Sequence, residues 1–340
     1  MKRLMLILFV FTCQVMAVQV DTHVAAALVD QQQTSEAQRQ LSALTAVVSK
    51  KSGLTVSQLL SEQLVDEDFR PAILRSYFED IPRHLDANEL WYNVVVDEDR
   101  LNRLMIDKEI PVWPAQRGDA FVWVVEELED GNLINAPADS AASYWLRQWF
   151  RHKGLPARFY DYQAEDLLAF QPRDVRFLNP DLIDFIQQNH QPDLTLLVFV
   201  KHSRNGLSYR VGLQRGDEPI QIKNLKFVNM SSGMSSLADL AQSMMASGQQ
   251  VFAEEFSENT VSLLINNLAN AEQLIDLKKY FDQHALIDRY QIQSFSNGRL
   301  SIMANIKVLP ETFIKFVDAG QMLQHMPLDI GQSILFSVAE

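Results

Sequence analysis

Residues 260–306 read TVSLLINNLANAEQLIDLKKYFDQHALIDRYQIQSFSNGRLSIMANI, and their hydrophobic period changes from two to that of a helix and back to two. Alternation over 260–267 predicts a strand with one buried face, and the longer period over 271–283 predicts a helix. A second strand is expected at 287–295. Ser296-Asn297-Gly298 then supplies the turn of a hairpin into a strand at 299–306. Pro310 suits the first turn of another helix, and SILFSV at 333–338 reads as a last strand. The order βαββαβ is the ferredoxin-like one, so residues 251–340 are expected to form a ferredoxin-like domain.

Upstream, Leu194 to Lys201 (LTLLVFVK) is the clearest buried strand of the chain. Arg204-Asn205-Gly206 turns it into Leu207 to Gln214, a hairpin by its Asn-Gly signal. Gly216-Asp217 makes a further turn toward 220–222, and Ser235 or Ser236 opens a helix running to about Ser247. Before the hairpin, Ser140 leads a helix with Tyr144, Trp145, Leu146, Trp149 and Phe150 that stops at Lys153-Gly154, and Pro180 starts another that ends near His190. These elements make a middle α/β domain over 131–250. The first domain, 18–130, begins with the alternation of Val18, Val20, Thr22 and Val24. A helix capped by Thr34 or Ser35 follows, carrying Ala37, Leu41, Leu44, Val47 and Val48 to a stop at Gly53. Helical stretches are expected over 56–64 and 68–78. Strand-like runs at 90–96 and 120–128, with a helix begun by Asp97 to Asp99 between them, predict a βαβ unit. The fold class is therefore a string of several small mixed α/β (α+β) domains.

The first seventeen residues have a different character. Lys2 and Arg3 precede the apolar run Leu4 to Phe11, and Val15-Met16-Ala17 offers a cleavage site, the layout of a secretory signal peptide. Gln14, Gln19 and Asp21 end the run short of the roughly 20 apolar residues that a membrane span needs. Cys13 could be acylated only in a lipoprotein signal, which prefers a small residue where Thr12 stands, so lipidation and an uncleaved anchor are the lesser alternatives. No later segment reaches spanning length, so no stable membrane insertion is expected after cleavage.

The chain has 340 residues, 30 Lys+Arg against 43 Asp+Glu, a net charge of −13 and one Cys. Residues 1–17 hold two of the basic residues, none of the acidic ones and the Cys, leaving 28 basic against 43 acidic, or −15, and no thiol in the remainder. This balance argues against a nucleic-acid partner, which needs clustered Lys and Arg. One Cys excludes a disulfide scaffold, a zinc ribbon and a thiolate-held iron–sulfur site.

Motifs for catalysis are wanting. The seven histidines include no pair at i, i+3 or i+4 and no HExxH, so no metal site is expected. Glycines form neither GxGxxG nor GxxxxGK[ST], so no phosphate-bearing cofactor is expected. Ser231-Ser232-Gly233-Met234-Ser235 lacks the G-x-S-x-G pattern of a nucleophile elbow and reads as a polar loop before a helix. Asp97 and Asp99 are explained as helix-start acids, and Glu126-Glu127 as a solvated pair at a strand end. Trp145 and Trp149, four apart, read as a core stripe in preference to a sugar-stacking surface. Trp113, Pro114 and Arg117 stand in a proline-bounded loop and form the candidate partner-binding loop, with a plug over the end of the sheet as the plainer reading. No catalytic, cofactor or metal residue is assigned.

The run from Val94 to Val125 carries a resemblance. Arg100-Leu101-Asn102-Arg103-Leu104, Ile110-Pro111-Val112-Trp113, Arg117 and Phe121-Val122-Trp123-Val124-Val125 resemble the bacterial DUF2066 family (domain of unknown function 2066). Gly154-Leu155-Pro156 with Asp161 and Asp174-Val175, and the hairpin at 194–214, are similar to its middle part. Gly118 stands where that family has proline after the arginine, and Arg158-Phe159-Tyr160 departs from it too. The resemblance implies an exported protein of gammaproteobacteria and no assigned catalytic residue. The expected function is that of a non-catalytic periplasmic protein of the cell envelope, a binding or assembly factor with an envelope protein as partner. The alternative is an envelope hydrolase acting on peptidoglycan or glycan through paired carboxylates.

Overall fold

A computed structural model describes residues 18–30, 34–82, 85, 89–160, 170–203, 206–252, 255–284, 286–319, 322–326 and 333–338. The candidate signal segment 1–17 with Cys13, the turn residues Arg204 and Asn205, and Asp161 lie outside the described residues.

The first unit contains β1 (Val18–Gln19), β2 (Val24–Val29), α1 (Glu36–Ser52), α2 (Val56–Ser61), β3 (Ile73–Glu79), β4 (Leu90–Val96), α3 (Glu98–Asp107) and β5 (Gln116–Arg117). Strands β2, β4 and β3 form an antiparallel sheet in that order. Ser35 caps α1 in a capping box with Gln38, and Ala43, Leu44, Val47 and Val48 of the helix pack on Tyr92, Val94 and Val96. The opposite face of β4 presents Trp91 to the next layer, so β4 is buried on both sides, in keeping with a run that is apolar except for the buried Asn93.

The central unit contains β6 (Ala120–Glu127), β7 (Leu133–Asn135), α4 (Ala141–Lys153), β8 (Ala157–Phe159), α5 (Pro172–Phe177), α6 (Pro180–His190), β9 (Leu194–Ser203), β10 (Gly206–Arg215), β11 (Gln221–Phe227) and α7 (Met230–Ala246). Its sheet runs β11-β10-β9-β6-β7, with β8 also against β6. Strand β6 is parallel to β8 and β9, and the β9–β10 hairpin pairs ten residues in register. Alternation along β6 sends Val122 and Val124 into a core shared with α4 and α7, and Phe121, Trp123 and Val125 into one shared with α5 and α6.

The C-terminal unit contains β12 (Phe256–Asn266), α8 (Ala271–Gln283), β13 (Ile287–Ser296), β14 (Arg299–Val308), α9 (Pro310–Ala319), β15 (Leu323–His325) and β16 (Ser333–Val338), with sheet order β13-β14-β12-β16-β15. The mixed α/β class holds throughout, and the first four strands by position take the ferredoxin-like order. The last strand departs from it. Because β15 intervenes after α9, β16 returns parallel to β12 instead of antiparallel.

Several local expectations are corrected. The strand at 120–128 does not close a βαβ unit with 90–96, because β4 pairs only with β2 and β3 while β6 enters the central sheet. The expected helix at 68–78 is a short 3-10 helix, Glu67–Ala72, containing Pro71, followed by β3. Pro71 blocks helix propagation, and pairing with β4 outweighs local propensity. The alternation at 18–24 yields only the two-residue β1, with β2 starting where it was expected to end. Helix α7 begins at Met230 under an Asn229 cap, so Ser231 to Ser235 are helical.

Candidate functional site

The candidate loop is consumed by the fold. Trp113 and Arg117 are each 1% exposed, and the guanidinium lies 3.7 Å from the centre of the Trp113 ring. Arg117 donates from Nε to Pro114 O (3.0 Å), from Nη1 to Gly154 O (2.6 Å) and Lys153 O (3.4 Å), and from Nη2 to Lys50 O (2.7 Å) and Trp113 O (3.5 Å). Lys50 and Lys153 stand in the last turns of α1 and α4. One buried cation thus closes two helix C-termini, where carbonyls lack intrahelical partners and the dipole is negative. Burial pushes the guanidinium down to about 9, still protonated at neutral pH. The Trp113 indole donates to Gln249 Oε1 at 3.2 Å and its backbone nitrogen to Lys51 O at 2.6 Å. Trp113, Pro114 and Arg117 therefore form the plug of the plainer reading, and the expectation of a free partner-binding loop is corrected. Gly118 follows from the same crowding, since a Cβ there would sit 2.5 Å from the Asp193 Cβ.

The remaining candidates are structural as well. Trp145 is buried and Trp149 half-buried; with His152 they surround Trp91, their ring centres 6.1, 4.8 and 4.3 Å from it. Asp97 caps α3 by accepting from the Arg100 backbone at 3.0 Å. Glu126 and Glu127 are not solvated. Both are buried, Glu126 against His202 at 2.9 Å, and Glu127 against Lys201 and, at 3.0 Å, Arg176. They end β6 beside the parallel β9, whose Lys201 supplies a countercharge to Glu127 and whose His202 ring faces Glu126. Sequence spacing gives no sign of this, because the partners lie 49 to 76 positions apart.

What the sequence did not mark is a cleft of about 1120 Å³ between the first unit and the C-terminal sheet. One wall is the segment after β1 with Lys51 and α3; the other is the ends of β12, β13 and β14, with Trp113 and Pro114 between them. Its most buried charged group, Lys51, donates to Glu98 Oε1 at 2.9 Å, and Thr22 Oγ1 donates to the same oxygen at 2.6 Å. Burial acts to raise the Glu98 carboxyl, but Lys51 and the Thr22 hydroxyl outweigh it and hold it below the usual carboxylate range. Across the cleft, the Asn305 amide oxygen, turned toward Arg289, accepts from its Nε at 2.9 Å and Nη2 at 3.1 Å. Arg103, Asp99, Asp288 and Lys307 complete a lining of mixed charge. Such a surface offers donors and acceptors on both walls. Its most enclosed carboxylate, Glu98, is held ionised, so it can accept hydrogen bonds or pair with a cation.

Among the described residues, no group of three or more His, Cys, Asp or Glu is placed to hold a metal ion. No helix among them is long and apolar enough to cross a membrane. Compared with known proteins, the chain matches no family model, no curated protein and no solved structure.

Proposed function

We propose that this chain is an exported, periplasmic protein of the cell envelope that binds or assembles and does not catalyse, with its partner held in the cleft between the first unit and the C-terminal sheet. The observation that carries the reading is the Lys51–Glu98–Thr22 cluster. It places a neutralised, hydrogen-bonded charge pair on a wide mixed-charge cleft, a surface with donors and acceptors for recognition. Export through residues 1–17 and kinship with the DUF2066 family belong to the same proposal, resting on the signal layout and on the motif from Arg100 to Val125.

The test is site-specific photocrosslinking in intact cells, with the reactive group at Arg103 or Arg289, both exposed on the cleft, and at Lys279 on α8 as the control. Adducts of defined mass are expected from the two cleft positions and not from Lys279. Absence of cleft adducts would overturn the reading. Turnover of peptidoglycan fragments that is lost in Glu98→Gln would install the hydrolase in its place.

A further inference from the structure

The central sheet ends at β11, whose outer edge pairs with no strand among the described residues. Seven consecutive pairs, from Leu207–Phe227 to Leu213–Gln221, join it to β10 without a register shift. The edges at β3 and β13 are different. Shifts interrupt β3 between Ile73 and Arg75, and β13 between Ile287 and Arg289 and again between Ile292 and Ser294. Such bulges are a common way of blunting an edge. The β11 edge carries no bulge and is long enough to template another strand.

Its side chains carry one sign of charge. Lys223 and Lys226 are exposed, and neither has an ion-pair partner among the described residues. Arg210, on the face of Lys226 and directly opposite Asn224, has a buried Nε without an acceptor. The acids Asp217 and Glu218 lie on the turn before the strand, and the cations stand on the strand itself, at its third and sixth residues. This is a local positive edge on a chain of net charge −13.

We propose that β11 receives an extended acidic segment of a partner polypeptide as an added strand. The surface is separate from the cleft and rests on the binding reading only in supposing a protein partner. Backbone hydrogen bonds along the edge supply affinity, and side-chain complementarity selects the segment. Lys226, Asn224 and Ile222 share one face and Lys223 lies on the other. An antiparallel strand therefore fits with an acid opposite Lys226, a second acid three residues later opposite Lys223, and an apolar residue next, opposite the half-exposed Ile222. Edge lysines also keep copies of a protein from pairing with one another. An acidic strand is the partner they do not repel.

The probe is the labelled peptide Thr-Glu-Thr-Thr-Glu-Val-Thr, with a control in which both Glu are Lys, titrated into the full chain and followed by fluorescence anisotropy and backbone hydrogen exchange. The acidic peptide is expected to bind, more weakly as salt is raised, and to slow exchange over 221–227. The exposed double variant Lys223→Glu/Lys226→Glu, shown folded by an unchanged denaturation midpoint, is expected to weaken it about tenfold, from two cross-strand charge pairs turned repulsive, and to favour the basic control. Equal binding of both peptides, no binding, or protection elsewhere overturns the proposal. Crosslinking from Arg103 and Arg289 in the double variant reports separately on the cleft.

Discussion

Arg117 shows how a single side chain can decide the meeting of two helices distant in sequence. Its planar fork reaches carbonyls on the last turn of α1, the end of α4 and its own loop, while Trp113 covers its face. A lysine has the same charge but a single nitrogen on a flexible stem, and cannot meet the same set of carbonyls. Arg117→Lys is therefore expected to destabilise the fold by about 3 kcal/mol, because buried carbonyls are left without donors. Urea denaturation measures it, and a loss below about 0.5 kcal/mol, the size typical of a surface substitution, would show that the five contacts are not made together. Gly154 belongs to the same junction: it has φ +65° and a Cβ there would lie 2.6 Å from Arg117 Nη1.

At the scale of elements, α7 docks on β10 through Gly233, where a Cβ would lie 2.4 Å from the Tyr209 hydroxyl oxygen. Helix propensity alone makes Gly→Ala in a helix worth roughly 1 kcal/mol of added stability. Here the overlap with a buried phenol dominates, and Gly233→Ala is expected to destabilise by about 1–3 kcal/mol, read from the denaturation midpoint. A stabilised variant would mean that the helix does not approach the strand so closely. Elements with a long, uninterrupted period were legible in sequence: β12 through β14 with α8 and the β9–β10 hairpin fall within a few residues of expectation. Where the pattern was short or partners were remote, reading failed. Pairing with β4 turned the segment after Pro71 into a strand, and the six-residue apolar run Ala120 to Val125 could not announce which sheet β6 would join. The cleft was invisible for the same reason, since Thr22, Lys51 and Glu98 are ordinary residues until α1 and α3 bring them together.

The whole molecule stores ionisable groups in places where charging them is costly, and this sets how its stability must vary with pH. Burial, helped by Arg151 and Lys50, pushes His152 down to about 2, and burial pushes His284 down to about 4, both from 6.5. Neither ring is free to accept a proton without loss: Arg151 Nη2 faces His152 Nε2 at 3.0 Å, and His284 Nδ1 accepts from the Leu286 backbone at 3.3 Å. Below pH 6.5 the unfolded chain takes up two protons that the folded chain excludes, so stability falls as pH falls, each histidine contributing about 1.4 kcal/mol per pH unit. Lys50 extends the trend upward. Burial lowers it from 10.5 to about 8, so its penalty is complete below 8 and disappears as pH rises through 10.5. His152→Phe keeps a ring against Trp91 and removes one titrating group. Unfolding free energies measured between pH 6.5 and 4 should then vary less steeply in the variant, by one proton's worth, with little change at pH 7.5. An unaltered slope would show that His152 takes up its proton in the folded state, and the packing of α4 against β4 would have to be looser than the Trp91–His152 contact implies.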